Sequence, residues 1–397
     1  MAAPPAAPAL EPAARSFLRG KRQPDAYRLP AEAPVLPTVD GWVISGHPEI
    51  CRLAGDRRLL VDPRAGDPPM PLTQSERLEG VLGRMLSFRD GADHARLRRL
   101  VTVAFSARRA GAVADTLATV VDELVDAAVT RGEFDAVADV GVPLPVYTTC
   151  ALLDIPRPDW RQVAGWAAAM SAQLFRFKQP PDAVEAVERQ LDELTAYIDD
   201  LARGRRDGDL VADLRAALDH DEFVAFVVLL FMNGLETVTA GIARAIGALA
   251  WRPALADGIR RDPGSAGDVF AELMRLHSPV RLGARRTVEA IDAIPRGAPV
   301  FLAWSLANRD PRVFTDPDTF RPGRPGRSLA FGAGPHHCLG AALAGRQGAA
   351  VLRAFATRAR LTGRTDEAGS PRLPGVAIDG FSALRVVAEP LMAGVRR

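Results

Sequence analysis

The sequence predicts a mainly α protein with one long central helix and small β-sheets, and three observations predict it. Apolar residues recur at helical spacing over most of the chain, Asp221–Ala250 contains no proline, and the extended-strand signals are short and few. From Arg28 to Pro63, Trp42-Val-Ile-Ser reads as a short strand, His47–Gly55 as a helix and Arg57–Val61 as extended again. His94–Thr130 is helical with an interruption near Ser106, and Trp160–Arg206 is helical with a break at Pro180-Pro181. Asp221–Ala250 makes a helix of about 45 Å, long enough to cross the molecule. After Ser278-Pro279, short extended candidates lie around Val280 and at Pro299–Leu302. Asn308–Arg327, rich in proline, arginine and aspartate, reads as a long irregular meander. A last helix is expected from near Cys338 to about Arg360, and a closing strand at Phe381–Val387. The expected organisation is a flexible tail over residues 1–22 and a single domain over 23–397.

A chain of 397 residues, 48% hydrophobic and 25% charged, can bury a large core. With a formal net charge of +2 and no run of like charges, nothing in the bulk electrostatics points to nucleic acid or a membrane surface as partner, and any basic patch must be local. Cys51, Cys150 and Cys338 lie far apart without paired spacing, which argues against a disulfide scaffold or a zinc ribbon and fits a cytoplasmic setting. The N-terminal MAAPPAAPALEPAARS has neither the basic start nor the apolar run of a signal peptide. Phe223–Met232 is about half the length needed to cross a bilayer, so no membrane anchor is expected.

The stretch Phe331-Gly-Ala-Gly-Pro-His-His-Cys-Leu-Gly340 carries the chemistry. Gly332 and Gly334 permit backbone conformations closed to other residues, and no side chain there blocks a flat partner. Cys338 precedes a helix, where amides and the dipole favour thiolate over thiol. A lone cysteine is more often a small buried hydrophobe. Zinc would need about four ligands, and His336, His337 and Cys338 are too close in sequence to supply three. A nucleophile would need a base held by a third group, which the sequence does not place. A single thiolate to an iron whose other ligands come from a porphyrin needs one cysteine.

This stretch resembles the haem-binding loop of the cytochrome P450 family, Phe-Gly-x-Gly-x-His/Arg-x-Cys-x-Gly; Phe331, Gly332, Gly334, His336, Cys338 and Gly340 fill every position. The resemblance continues along nearly the whole chain. Glu272-Leu-Met-Arg275 resembles the family's Glu-x-x-Arg helix, a structural pair that braces the meander, with Arg321 or Arg324 completing the network. Glu49-Ile-Cys-Arg52 matches the same pattern but reads as a solvated pair. Asn233-Gly-Leu-Glu-Thr-Val238 resembles the oxygen-activation groove, where a local widening of the helix makes room over the iron. There Thr237 would donate a hydrogen bond to the oxygen and Glu236 would relay protons, while Asn233 departs from the usual small residue. His94-Ala-Arg-Leu-Arg98 resembles the propionate clamp, which His94, Arg98, Arg285 and His336 would form together.

The resemblance implies the triangular, mostly helical cytochrome P450 fold and a haem b cofactor held by Cys338 as axial thiolate. It implies a monooxygenase that uses O2 and two electrons to hydroxylate, epoxidise or couple a small organic substrate. Electrons would come from a ferredoxin and a ferredoxin reductase, docking on a basic face with Arg96, Arg99 and Arg346. Gly345 and Gln347 stand where the family usually has arginine and glutamate, a departure that bears on this electron-partner face. The expected setting is tailoring of a secondary metabolite, an aromatic or polyketide intermediate, acidic or tethered to a carrier protein. Candidate substrate contacts are Asn233, Arg281, Phe175 and Phe381, with Arg281 as a cation for an acidic group. Rival readings are a peroxide-driven haem enzyme, a haem-binding sensor or carrier without turnover, and a cysteine hydrolase using Cys338.

Overall fold

The computed structural model describes residues 10–21, 24–65, 69, 71–102, 113–171, 180–203, 209–373 and 375–391. Its axis is the helix His220–Trp251, whose 32 residues span about 48 Å. Asp219 starts it by accepting the Glu222 amide at 2.8 Å, while Glu222 reaches back to the Asp219 amide in a capping box. Arg252 leaves the helical region ahead of Pro253, which ends it. The helix is long and apolar enough to cross a membrane by length and composition, but its apolar window is mostly buried inside the fold. Helices Pro143–Leu152, Trp160–Ser171 and Ala341–Arg358 and a π-helical turn at Ala136–Gly141 pack around it. That turn is capped by Asp135, which also accepts the Leu384 amide, and Gly141 accepts the Thr239 hydroxyl of the central helix at 2.8 Å.

The strands are β1 (Val35–Thr38), β2 (Gly41–Ile44), β3 (Leu59–Leu60), β4 (Glu133–Asp135), β5 (Gly283–Thr287), β6 (Pro299–Leu302), β7 (Ala359–Gly363) and β8 (Arg385–Pro390). They form a five-stranded sheet of order β1-β2-β6-β5-β3 and a three-stranded sheet of order β4-β8-β7. The expected closing strand at Phe381–Val387 begins later, at Arg385, because the Phe381 ring is committed to the core; Phe381 makes only an isolated bridge to Arg372. The segment around Ser106 lies outside the described residues, between helices Gly91–Thr102 and Ala114–Arg131.

The flexible tail expected over residues 1–22 does not hold for its second half. Glu11–Leu18 is a helix with proline in its first turn, and Leu10, Ala14 and Phe17 bury against Leu36, Val43, Leu282 and Leu306. The apolar spacing Leu10, Ala14, Phe17 is helical, and the surrounding alanines and prolines hid it. The Glu49–Arg52 pair also differs from expectation: Glu49 binds Arg312 and Arg52 binds Asp292. Helix Ala341–Arg358 reaches helix Ala266–Leu276 through Gly348, where a Cβ would stand 2.2 Å from the Phe270 ring. Only glycine admits that approach.

Candidate active site

Helix Ala266–Leu276 carries the brace. Arg275 Nε and one terminal nitrogen each donate at 2.8 Å to the two Glu272 oxygens, both residues being almost fully buried. The other Arg275 nitrogen donates to the Asn308 and Pro317 carbonyls at 2.7 and 2.8 Å. Glu272 also accepts the Arg321 amide at 2.9 Å and Arg324 Nε at 3.2 Å, so both expected arginines take part, Arg321 through its backbone. Burial alone would raise the Glu272 pKa, but the hydrogen bonds from Arg275 and the Arg321 amide win, and it lies below the usual carboxylate value.

Asn308, fully buried, passes this order to the cysteine loop. Its Nδ2 donates to Ser278 Oγ at 2.8 Å and its Oδ1 accepts the Leu329 amide at 2.6 Å. The Leu329 carbonyl accepts the Gly332 amide, and the Phe331 carbonyl accepts the Cys338 amide, both at 2.9 Å. Gly332 and Gly334 have φ of +73° and +68°, and a Cβ on Gly334 would meet the Ala54 carbonyl at 2.4 Å. Helix Ala341–Arg358 starts just after this loop.

Cys338 is solvent-accessible yet surrounded by enough protein that burial pushes its pKa up, against the lowering effects of the Gly340 amide and the Arg98 charge. Arg98 makes no side-chain hydrogen bond or ion pair among the described residues. The His94 and His336 rings lie with centroids 4.1 Å apart, tilted by 39°, and His336 Nε2 lies 3.5 Å from Asp90, whose other oxygen accepts the Val61 and Asp62 amides. Burial lowers the His94 pKa to about 4, helped by His336 and Arg98, so its ring is neutral at pH 7. Burial likewise lowers Arg285 to about 10, against the nearby Asp90. Among the described residues Arg285 donates only to the neighbouring Ala284 carbonyl.

These residues fit an iron protoporphyrin. One accessible thiol suits the metal, and the Arg98 and Arg285 guanidinium groups, which make no ion pair among the described residues, suit two propionates. His94 Nε2 is buried without a hydrogen-bond partner among the described residues, so a polar group brought there would satisfy it. A Cβ on Gly340, beside the thiol, or on Gly234 in the central helix would meet nothing within 4 Å.

The central helix stays regularly α-helical through Asn233–Val238, so the expected local widening is absent. The Thr237 hydroxyl donates to the Asn233 carbonyl one turn back at 2.9 Å, and Glu236 is exposed. Asn233 and Thr237 lie on one stripe of the helix, and Gly234 lowers the surface beside it. A surface cleft of about 260 Å³, lined by Arg77, Val81, Leu191, His220 and Val224, sits about 20 Å back along this helix and is not part of the site.

Two of the expected substrate residues are placed elsewhere. Arg281 is buried, donates to the Phe17, Lys21 and Val376 carbonyls at 3.3 Å and lies 4.4 Å over the Phe17 ring. It ties the N-terminal helix to the sheet and offers no cation to a substrate. Arg281→Ala is therefore expected to cost about 2 kcal/mol through the carbonyls it deserts, read as a lower melting temperature with unchanged haem content. Phe381 is 1% exposed and has no surface for a substrate. Phe175 lies outside the described residues. Of the expected basic face, Arg96 is taken by Asp93 and Glu222, while Arg99 and Arg346 are exposed. Asp90 and Asn308 were not foreseen; Asn308, a lone amide directly after the buried Trp304–Ala307, was the one with a signal in the sequence.

Comparison with known proteins bears on the family and the fold. The family model described as Cytochrome P450 matches residues 267–358. The chain is 33% identical over 326 residues to luteothin monooxygenase of Streptomyces thioluteus, covering 78% of this chain and 79% of that protein. It is 29% identical over 319 residues to the biotin biosynthesis cytochrome P450 of Bacillus subtilis strain 168, covering 77% and 79%. Among solved structures it resembles P450BioI in complex with hexadec-9Z-enoic acid ligated acyl carrier protein, with a TM-score of 0.81 at 26% identity over 92% of this chain and 97% of that one.

Proposed function

The chain belongs to the cytochrome P450 family, a haem b oxidoreductase of the monooxygenase class, and on that premise we propose that it hydroxylates or epoxidises a small organic intermediate of secondary metabolism. One observation carries the site assignment: Arg98 and Arg285, without carboxylate partners among the described residues, converge with the unpartnered His94 Nε2 beside the Cys338 thiol. Haem held there would supply the reductive activation of dioxygen.

In this reading Cys338 would ligate the haem iron as thiolate, and the Gly340 amide and Arg98 would offset the cost of ionising it. Arg98, Arg285, His94 and His336 hold the propionates. Thr237 holds a proton at Oγ1 on the stripe that faces the substrate, and Glu236, exposed one residue earlier, exchanges protons with solvent. Two electrons and two protons then balance the insertion of one oxygen atom into substrate and release of the other as water. A separate ferredoxin and its reductase donate the electrons, docking near Arg99 and Arg346, and the enzyme works in the cytoplasm. With Arg281 engaged elsewhere, an uncharged aromatic or polyketide intermediate suits the pocket better than an acid. A carrier-tethered substrate is the second reading, favoured by the likeness to P450BioI bound to its ligated acyl carrier protein.

Titrating candidate compounds while following the low-spin to high-spin change of the haem band identifies a substrate. With it, Thr237→Ala is expected to lower product formed per oxygen consumed by a factor on the order of 10 to 100. Unchanged coupling in that variant overturns the reductive oxygen pathway and favours the peroxide-driven reading.

A further inference from the structure

One charged residue lies deep in the otherwise apolar stretch Ala240–Ala250 of the central helix. Arg244 is 3% exposed and donates at 2.6 Å to Glu367. Glu367 also accepts Arg372 at 3.2 Å, and Arg372 reaches Asp379 at 3.5 Å. Burial would raise the Glu367 pKa, but Arg244, His277 and Arg372 hold it down to about 2, so it stays charged. The two guanidinium groups enclose Phe381, with Arg244 at 4.6 Å and Arg372 at 4.2 Å from its centroid, and Trp251 meets the same ring edge-on at 5.7 Å. Substrate chemistry has no use for these charges where they stand, and a buried ion pair is weak evidence of stability in itself.

Their position relative to the site is informative. Gly380, next to the clamped ring, meets the central helix at Ala240, where its Cβ would lie 3.0 Å from that of Ala240. Asn233, Thr237 and Ala240 are spaced i, i+4, i+7 and form one stripe of the helix. The same turn is bonded to the segment after helix Ala266–Leu276: the Asp379 amide donates to the Pro279 carbonyl at 2.7 Å, the Arg281 amide donates to the Ala377 carbonyl at 2.8 Å, and Val280 bridges Ile378.

We infer that Arg244, Glu367 and Arg372 are positioning residues that grip Phe381 and thereby fix the Ile378–Gly380 turn as the wall closing the Thr237 stripe. The inference rests on the reading of that stripe as the substrate side of the haem. Arg372 is the residue to vary, since its side chain is 29% exposed and the fold tolerates its loss better than that of Arg244.

The test compares two haem ligands of different bulk, imidazole and 4-phenylimidazole, titrated by absorbance into the haem-loaded wild type, Arg372→Gln, Arg372→Lys and Glu367→Gln. In Arg372→Gln and Glu367→Gln the larger ligand is expected to bind about fivefold more weakly while imidazole changes by less than about twofold. Arg372→Lys, which keeps the charge, should recover part of the loss. Amides of 376–384 should exchange faster with deuterium in the same variants. Parallel changes for both ligands, or no change for either, overturn the proposal. Should Arg372→Gln fail to take up haem, Glu367→Gln, which keeps a hydrogen-bonding amide, decides alone. No substrate is needed, so this result stands apart from the coupling of Thr237→Ala.

Discussion

Arg275→Leu is expected to destabilise the protein by about 3–5 kcal/mol and to abolish stable haem uptake. The magnitude follows from what is stranded. Glu272 would remain buried with a charge met only by the Arg321 amide and Arg324, and the Asn308 and Pro317 carbonyls would lose their donor. The Asn308 carbonyl belongs to the residue whose side chain holds Leu329, so the loss reaches the loop that presents Cys338. Urea unfolding and haem absorbance measure the two effects; a cost below about 1 kcal/mol would falsify the bracing role. Glu272→Gln should be milder, because an amide can still accept from Arg275. It should also reduce the acid sensitivity of folding. Glu272 has a folded pKa below its ordinary 4.5, so its contribution is present above about pH 4.5 and is lost as pH falls through the folded value. A variant lacking the carboxylate loses that part of the pH slope.

The site was legible where side-chain type and spacing carry chemistry and illegible where backbone carbonyls decide. Cys338 with Gly332 and Gly334, the Glu272–Arg275 pair and the basic residues His94, Arg98 and Arg285 could be picked out because these residue types stand at fixed intervals. Arg281 was misread for the opposite reason. A cation after Ser278-Pro279-Val280 looks the same in sequence whether it faces a pocket or the main-chain carbonyls of Phe17, Lys21 and Val376, and those carbonyls leave no trace in residue types. Phe381 was placed at the right turn and given the wrong task. The signal that corrects it was present: Arg244 is the only charge between Ala240 and Ala250, and a charge that deep must find a partner. The partner, Glu367, is 123 residues away, beyond what helical periodicity can report. The long helices were predicted well because burial imposes a period on them. The short strands β4 and β7 impose none that local pattern can distinguish from loop, whereas β3 lies within the extended stretch expected at Arg57–Val61.

Cys338→Ser is expected to leave the fold intact and to remove the activity. The loop around it is held by main-chain groups, Gly332 on Leu329, Cys338 on Phe331 and His337 on Gly334, and none of these bonds uses the thiol. Unfolding free energy without haem should therefore change by less than about 1 kcal/mol. The wild-type protein, reduced and exposed to carbon monoxide, should show the far-red band of a thiolate-ligated haem, and the serine variant should lack it. Monooxygenation should fall by a factor on the order of 10³ or more, equivalent to about 4 kcal/mol of barrier. The spectrum separates this reading from a cysteine hydrolase, since both lose activity on losing the sulfur. The thiol itself already speaks against a hydrolase: burial pushes its pKa up, whereas a nucleophile needs it brought down by a base within reach. A thiol that its protein surroundings make costly to ionise alone would become favourable to ionise if a ferric ion shared the charge, with Arg98 and the Gly340 amide helping to hold it as thiolate. Wild-type protein supplied with haem that shows no such band would leave Cys338 without a ligand role.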